Sequence, residues 1–381
     1  MSQSISSNCM FSKNQRRNLL IAGLSSALAC QLMAQSVAGV GHRVELPRDS
    51  PVTLVSDDWP LPTVSTRGGV YSIQARVSLS LRNASQKRIR GVTLAVMAQE
   101  NAPGGKGSIS VPSLDIAPGD TFVVRGDLHL LRPVTDARPS VEVNLDGLLF
   151  DDLSFYGPDR LSSRRTLMVW ELEARRDRQY LKAVLEQRGV DGLQKEMIAS
   201  SSRDGLRLQF SAQVVRGAAA GGENEREVVL AFVQSPDAPL EAMAGVARVA
   251  RNEARAPKMV IQNRSGRAVR YFEIGWVVRD QQGREFMAAS LPSEMRLPPH
   301  SSSQILEDAS LRFDSRTPLE GMTGFISTVE FSDGTFWIPS RNMLEDPLLR
   351  RTVAPSPEQQ RLLQIYIKRG VNALIDDLKR F

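Results

Sequence analysis

The segment Asn83-Ala84-Ser85, followed by Ile89-Arg90, returns 180 residues later as Asn263-Arg264-Ser265, followed by Val269-Arg270. Working outward, Val92, Leu94 and Val96 answer to Phe272, Ile274 and Trp276. Val111-Pro112-Ser113 with Pro118 answers to Leu291-Pro292-Ser293 with Pro298. Further on, Asp146-Gly147-Leu148-Leu149-Phe150 aligns with Asp333-Gly334-Thr335-Phe336-Trp337, and Arg188-Gly189-Val190 with Arg369-Gly370-Val371. Matches in one order at nearly constant spacing mark an internal duplication, so one fold is expected twice.

The repeated unit reads as short strands. Val77, Leu79 and Leu81 alternate with Ser78 and Ser80, and Met259 and Ile261 occupy the equivalent face; a period of two puts these aliphatic side chains on one side of a sheet. The Asn-x-Ser segments turn the chain by bonding their own backbone. Second strands are expected at Val92 to Met97 and at Phe272 to Val278, then hairpin connections at Gly104-Gly105-Lys106-Gly107 and Asp280-Gln281-Gln282-Gly283. Strands follow around Ile109 to Val111 and Phe286 to Leu291. Turns follow at Ile116-Ala117-Pro118-Gly119-Asp120 and Leu297-Pro298-Pro299-His300, where proline withholds a ladder donor. Val141, Val143 and Leu145 alternate, and Asp146-Gly147 and Asp333-Gly334 read as hairpin turns. The expected fold class is mainly β: two tandem immunoglobulin-like antiparallel β-sandwiches, without the disulfide of antibody domains.

A helix is expected after each copy. The first spans Arg175 to Ala199 with a weak point at Arg188-Gly189, its stripe marked by Leu181, Val184 and Leu185. The second opens at Ser356-Pro357-Glu358, which suit a cap, a first-turn proline and the helix dipole. Its face carries Leu363, Ile367, Val371, Leu374, Leu378 and Phe381, and each helix is expected on its own sandwich. Gly370 reads as a bend or as a place where a partner packs closely. Between the copies, Leu206, Leu208 and Phe210 suggest one strand and Glu227 to Val233 another, around a Gly/Ala loop at 217–222. The expected domains are an export segment at 1–39, a first sandwich with helix at 40–200, and a second at 201–381.

The amino end resembles an export signal: Lys13, Arg16 and Arg17, then Leu19 to Leu24, then Ala27-Leu28-Ala29. Cleavage is expected after Ala29 or Ala34. Arg16-Arg17 also permits twin-arginine export, and Cys30 offers a lipid-anchoring cysteine; a buried first helix is the alternative. The chain has two cysteines, Cys9 and Cys30, so cleavage after Ala34 leaves none, and the exported protein depends on its cores instead of a disulfide. With 41% hydrophobic residues among 381, those cores can be filled. The net charge of +6 includes three positive charges from the leader.

Candidate chemistry is sparse. His42, His129 and His300 are scattered without a spaced second ligand. Asp57-Asp58 and Asp151-Asp152 are adjacent pairs, which point to opposite faces of a strand and make no glycosidase dyad alone; neither has calcium-loop spacing. Gly104 to Ser108 lacks the phosphate-loop order, and Ser85 and Ser265 stand in no nucleophile elbow. Basic clusters at Lys87-Arg88-Arg90, Arg164-Arg165, Arg175-Arg176-Arg178 and Arg350-Arg351 lack interleaved aromatics, so no nucleic-acid partner is expected. Phe272 and Trp276 read as core, whereas Trp337, and with it Phe336, follows a turn and is a candidate exposed platform for a sugar or a partner.

The expected protein is therefore exported, periplasmic in the first instance, with no cofactor, no metal and no membrane span, although a lipid anchor or peripheral membrane contact is compatible. It is expected to be a non-catalytic scaffold or binding module for another envelope protein, recognised through sheet edges or inter-domain surfaces. Two alternatives remain: a carbohydrate-binding module, which needs paired exposed aromatics, or an envelope polysaccharide or peptide hydrolase, which needs two loop carboxylates in one cleft.

Overall fold

The computed structural model describes residues 41–60, 62–99, 104–134, 140–206, 212–216, 225–306, 309–313 and 318–381. Ala29, Cys30 and Ala34 lie outside the described residues.

Alternating β-branched and aliphatic residues form the strands, because such side chains pack well on a pleated surface. In chain order the first copy holds β1 (Gly41–Glu45), β2 (Val52–Asp57), β3 (Thr63–Arg67), β4 (Val70–Asn83), β5 (Ile89–Met97), β6 (Lys106–Val111), β7 (Thr121–Pro133), β8 (Ser140–Phe150) and β9 (Phe155–Tyr156), followed by helix α1 (Ser163–Leu206). The second holds β10 (Ala212–Arg216), β11 (Arg226–Val229), β12 (Ala231–Phe232), β13 (Leu240–Ala250), β14 (Glu253–Asn263) and β15 (Val269–Asp280). It continues with β16 (Glu285–Ser293), β17 (Ser302–Leu306), β18 (Ala309–Phe313), β19 (Leu319–Phe331) and β20 (Phe336–Trp337), then helices α2 (Arg341–Leu344), α3 (Pro347–Thr352) and α4 (Pro357–Lys379). The protein is mainly β, with two sheet-rich regions and a few helices.

In the first copy β4 pairs with β2 and β3 along one edge and with β7 along the other, while the facing sheet runs β1-β8-β5-β6 with β9 on β8. Val77, Leu79 and Leu81 from one sheet share a core with Leu94, Val143 and Leu145 from the other. The second copy repeats the plan, with β14 between β13 and β17/β18, facing β12-β19-β15-β16. Met259 and Ile261 there meet Phe272 and Trp276, both 0% exposed. The opening strands repeat as well: β1 runs parallel to β8, and β12 parallel to β19. The single strand expected at Glu227 to Val233 is thus divided, β11 joining one sheet and β12 the other.

The Asn-x-Ser turns are near-identical. Asn83, fully buried, donates Nδ2 to the Lys87 and Ile116 carbonyls at 2.8 and 3.1 Å and accepts from the Ser85 amide and hydroxyl at 3.0 and 2.7 Å. Asn263 donates to Arg267 and Leu297 at 2.8 and 3.2 Å, and accepts from Ser265 at the same 3.0 and 2.7 Å. Each turn therefore adds a second donor to a carbonyl that already accepts a strand amide, Ile89 N–H on Ile116 and Val269 N–H on Leu297, and ties it to the Lys87 or Arg267 carbonyl across the turn.

Several expectations are corrected. Asp146-Gly147 is no turn; both residues lie inside β8, because Asp146 is held by downstream donors and the strand continues to Phe150. The partner of Asp333-Gly334 is Asp152-Leu153, 181 residues earlier. Leu153 and Gly334 both have positive φ (65° and 81°), and Asp152 and Asp333 accept from the amides of Ser154 and Thr335 at the same 3.0 Å. The first helix starts at Ser163 instead of near Arg175 and runs through residue 200 to Leu206, so Leu206 is helical and not part of a strand. The hairpin connection at Gly104 to Gly107 is shorter than expected, since β6 begins at Lys106.

The helices do not each lie on their own sheets. Gly189 (φ 66°) and Gly370 (φ 82°) break α1 and α4 into antiparallel halves. Arg361 pairs with Asp377 at 2.6 Å, although sixteen residues of continuous helix span about 24 Å. Tyr180 and Glu196, the same positions 181 residues earlier, also interact. Leu181, Val184, Leu193 and Met197 of α1 share one core with Leu362, Leu363, Leu374 and Leu378 of α4. Two apolar stripes bury each other here, which removes more surface from water than laying α4 on an already filled sheet. Only the start of α1 rests on its own copy, where Leu167 and Met168 cluster with Leu149.

Candidate functional site

The site is a cleft of about 230 Å³ at the junction of the copies. Trp170, Glu173 and Arg176 of α1 form one wall; Glu273 of β15, Ser290 of β16 and Ser327 and Thr328 of β19 form the floor; the segment from Pro339 to Gln359 closes the rim.

What brings α1 onto the second copy is a buried carboxylate. Glu330 of β19, 1% exposed, takes Arg164 at 2.9 Å and Arg165 at 3.0 Å from α1, and also Arg270 from the neighbouring strand. Arg164 further donates to the Gly334 carbonyl at 3.0 Å, and Arg165 stacks on Tyr271 at 3.4 Å. Burial works to raise the Glu330 pKa, but the arginine hydrogen bonds outweigh it and hold it below the ordinary range.

The same place in the first copy is nearly closed. A hollow of about 70 Å³ there is lined by Ala95, Lys106, Asp146 and Arg160, which the duplication matches to Gly275, Met287, Ser327 and Arg341. Asp146, 1% exposed, accepts the amides of Arg160 and Leu161 at 2.9 and 3.2 Å and the Ser163 hydroxyl, so its charge is spent on the chain that leads into α1. In the second copy the smaller Ser327 replaces it, and Glu273 replaces Thr93. Pro347, Pro355 and Pro357 break the helix that is continuous in the first copy, each lacking the amide a helix interior needs. A short side chain and a broken helix leave the cleft open.

Its polar groups divide into spent and unspent. Arg176 is used by Asp177 and the Pro339 carbonyl, both at 3.0 Å; Arg341 by Glu345 at 3.0 Å and the Tyr180 ring; Arg350 by Glu345 at 3.6 Å. Glu273 accepts from the Tyr271 hydroxyl. Burial first, and then this contact, raise the Tyr271 pKa and keep its phenol protonated. Glu173 has no hydrogen-bond partner among the described residues. Burial pushes its pKa up to about 7; Arg176 opposes the rise, and Asp177 and Glu273 add to it.

Of the residues singled out from sequence, Arg176, Arg350 and the helix cap Ser356 line this cleft. Trp337 is half-buried on β20, packed between the second-copy core and the Phe325–Met343 cluster, and Phe336 lies beneath the Arg164 guanidinium. Gly370 is exposed, with open space where a Cβ would project. His42 meets Asp57 at 3.3 Å and packs edge-on against Trp59; His129 meets the Ser72 hydroxyl at 2.6 Å; His300 occupies a positive-φ turn. Asp152 pairs with Lys87 at 2.7 Å. The basic clusters are matched by acids: Arg88 and Arg90 share Asp115, Arg175 and Arg178 share Glu171, and Arg351 meets Glu285. No three His, Cys, Asp or Glu side chains among the described residues form a metal-ligand set, and no described helix is long and apolar enough to cross a membrane.

Glu173 and Glu273 were missed because neither stands in a motif. The one signal was Glu273 itself, an acid between core residues Phe272 and Ile274 where the first copy has Thr93.

A scan against protein-family models finds no match, and a search of curated proteins finds none. Among solved structures, the β-glucosidase of Kluyveromyces marxianus matches 70% of this chain at 6% identity with a TM-score of 0.16, and this chain spans 45% of it. A protein described as pT26-6p matches 86% of this chain and 73% of its own at 10% identity, again with a TM-score of 0.16. Likeness at that level carries no argument about fold or function.

Proposed function

We propose that this chain is an exported, non-catalytic scaffold of the bacterial cell envelope that binds another envelope protein through the junction cleft. We further infer that each sheet-rich region is an immunoglobulin-like sandwich: β2-β4-β7 faces β6-β5-β8-β9, and successive strands cross between the sheets in the order that fold uses. The observation that carries the functional reading is divergence at one place. In the first copy the hollow is occupied by Asp146, bonded through both oxygens; in the second it is open and holds a carboxyl without a hydrogen-bond partner among the described residues. A stability role favours the first arrangement, so retention of the second, in a frame braced by Glu330 and the shared helical core, points to use as a binding site.

The test is site-specific photo-crosslinking in an exporting bacterium, with the probe at Ser290 on the cleft or at Arg125 on the remote β7. A reproducible partner from Ser290 and not from Arg125 supports the reading. Equal labelling at both positions, or no partner together with turnover of cell-wall material, overturns it.

One observation favours the hydrolase reading: Glu173, protonated up to about pH 7, shares a cleft with Glu273, the pairing a general acid and a carboxylate base require. These acids stand on a helix and a strand, not on loops. On that reading turnover vanishes in Glu173→Gln.

A further inference from the structure

We propose that the cleft receives an alkylammonium group, presented as a lysyl side chain of the partner, with Glu173 and Glu273 as its counter-charges. This rests on the reading of the cleft as a binding site and names the chemistry that it selects.

The selection follows from which groups are already used. Every arginine lining the cleft has its acid: Arg176 has Asp177, and Arg341 and Arg350 have Glu345. An entering anion would have to displace one of these pairs and would meet two further carboxylates. The unspent groups are acceptors. Among the described residues Glu173 has no hydrogen-bond partner, Glu273 has one side-chain donor in Tyr271, and the hydroxyls of Ser290 and Thr328 bond no other group. Glu273, Thr328 and Ser290 stand together on the floor, on adjacent strands of one sheet, and Glu173 faces them from the α1 wall, so the acceptors come from two sides of the cleft. Three N–H donors on a compact ammonium suit that arrangement better than the flat fork of a guanidinium.

Burial of the carboxyl strengthens the case. Glu173 holds its proton to about pH 7 because burial outweighs the opposing charge of Arg176, which is turned to Asp177. An incoming ammonium supplies the missing charge and displaces the proton. Besides burial, the groups that set this titration are Arg176 and Asp177 from α1 and Glu273 from β15; the other charged groups lining the cleft are Arg341 and Glu345 from α2 and its cap, and Arg350 from α3. The pH dependence has a definite sign: affinity is full above about pH 7 and falls as Glu173 protonates, while the alkylammonium keeps its charge throughout. The apolar sides of the cleft, Trp170 and Met287, are placed to cover a methylene stem.

The experiment is isothermal titration calorimetry on the full chain at constant ionic strength. The probes are butylammonium, an acetyl-Gly-Lys-Gly-amide peptide, sodium acetate and methyl glucoside. Butylammonium or the peptide binding with a dissociation constant on the order of 1 mM, as a fragment of that size allows, is expected. Affinity should drop about tenfold in Glu173→Gln and in Glu273→Gln, with circular dichroism unchanged, and several-fold from pH 8 to pH 6 in the wild type but not in Glu173→Gln. Tighter binding of the peptide than of butylammonium identifies a protein source, and the reverse a free amine. Binding of acetate or glucoside in place of the cations, abolished by the cleft-filling Ser290→Trp, overturns the ammonium and leaves the cleft as a site. Cation binding unaltered by either glutamine, or no probe bound, overturns the proposal outright, whereas crosslinking from Ser290 judges the underlying reading separately.

Discussion

Replacing Glu330 by glutamine keeps the shape of the side chain and removes the charge on which three arginines converge. Glu330 is 1% exposed, while Arg164, Arg165 and Arg270 retain 28%, 22% and 46% exposure, so the guanidiniums can rehydrate and the carboxylate cannot. Breaking a fully buried pair costs about 3–5 kcal/mol; discounting for the half-exposed arginines leaves about 2–3 kcal/mol, part of it repulsion among three uncompensated cations. For a domain of this size that lowers the melting temperature by about 5–10 °C, read by circular dichroism or urea titration at pH 7. The pH dependence adds a second readout. The folded Glu330 pKa lies below its unfolded value of about 4.3, so its contribution is present above that value and is lost as pH falls through the folded pKa. The gap between wild type and Glu330→Gln should therefore be full at pH 6 and shrink on acidification below about pH 4. A variant within about 0.5 kcal/mol of wild type at pH 7, or a gap independent of pH, would refute the assignment of Glu330 as the clamp between the copies.

Gly189→Ala and Gly370→Ala should each cost about 1–2 kcal/mol in urea unfolding, since φ of 66° and 82° with extended ψ is strained for alanine although a Cβ meets open space at both. A stabilised variant would mean that the fold-back does not depend on these glycines. Asn83→Ala and Asn263→Ala should each cost about 1–3 kcal/mol, because each removes a fully buried amide that bridges two carbonyls and accepts the serine amide two residues on, although those carbonyls keep a second donor; a large loss at one site only would break the equivalence of the two turns. On the export reading, mass spectrometry of the protein from the envelope fraction should find its amino terminus after Ala29 or Ala34, with added lipid mass if Cys30 is anchored; an intact leader there would remove the basis for that reading.

Much of the fold was legible because its signals are local. The period of two in Val77 to Leu81 places those residues in the core wherever the sheet lies, and an Asn-x-Ser pair carries its own hydrogen bonds into the turn. Asp146-Gly147 misled for a complementary reason. As a dipeptide it favours a hairpin, but the amides of Arg160 and Leu161 hold the Asp146 carboxylate and keep the strand going. The cleft was not legible. Glu173 and Glu273 are 100 residues apart, and apart from the setting of Glu273 between Phe272 and Ile274 nothing near either one marks it as different from a solvated acid.

Sequence alone determined the duplication, the strand periodicity and the two glycine bends, because each depends on residues within a few positions and on backbone sterics that operate in any context. Tertiary structure alone decided that α4 packs on α1 and not on a sheet, that Glu330 gathers arginines from both copies, and that one hollow closed while its duplicate stayed open. Those outcomes are competitions between surfaces distant in the chain, settled by which pairing removes the most apolar area from water and leaves the fewest buried charges without a partner.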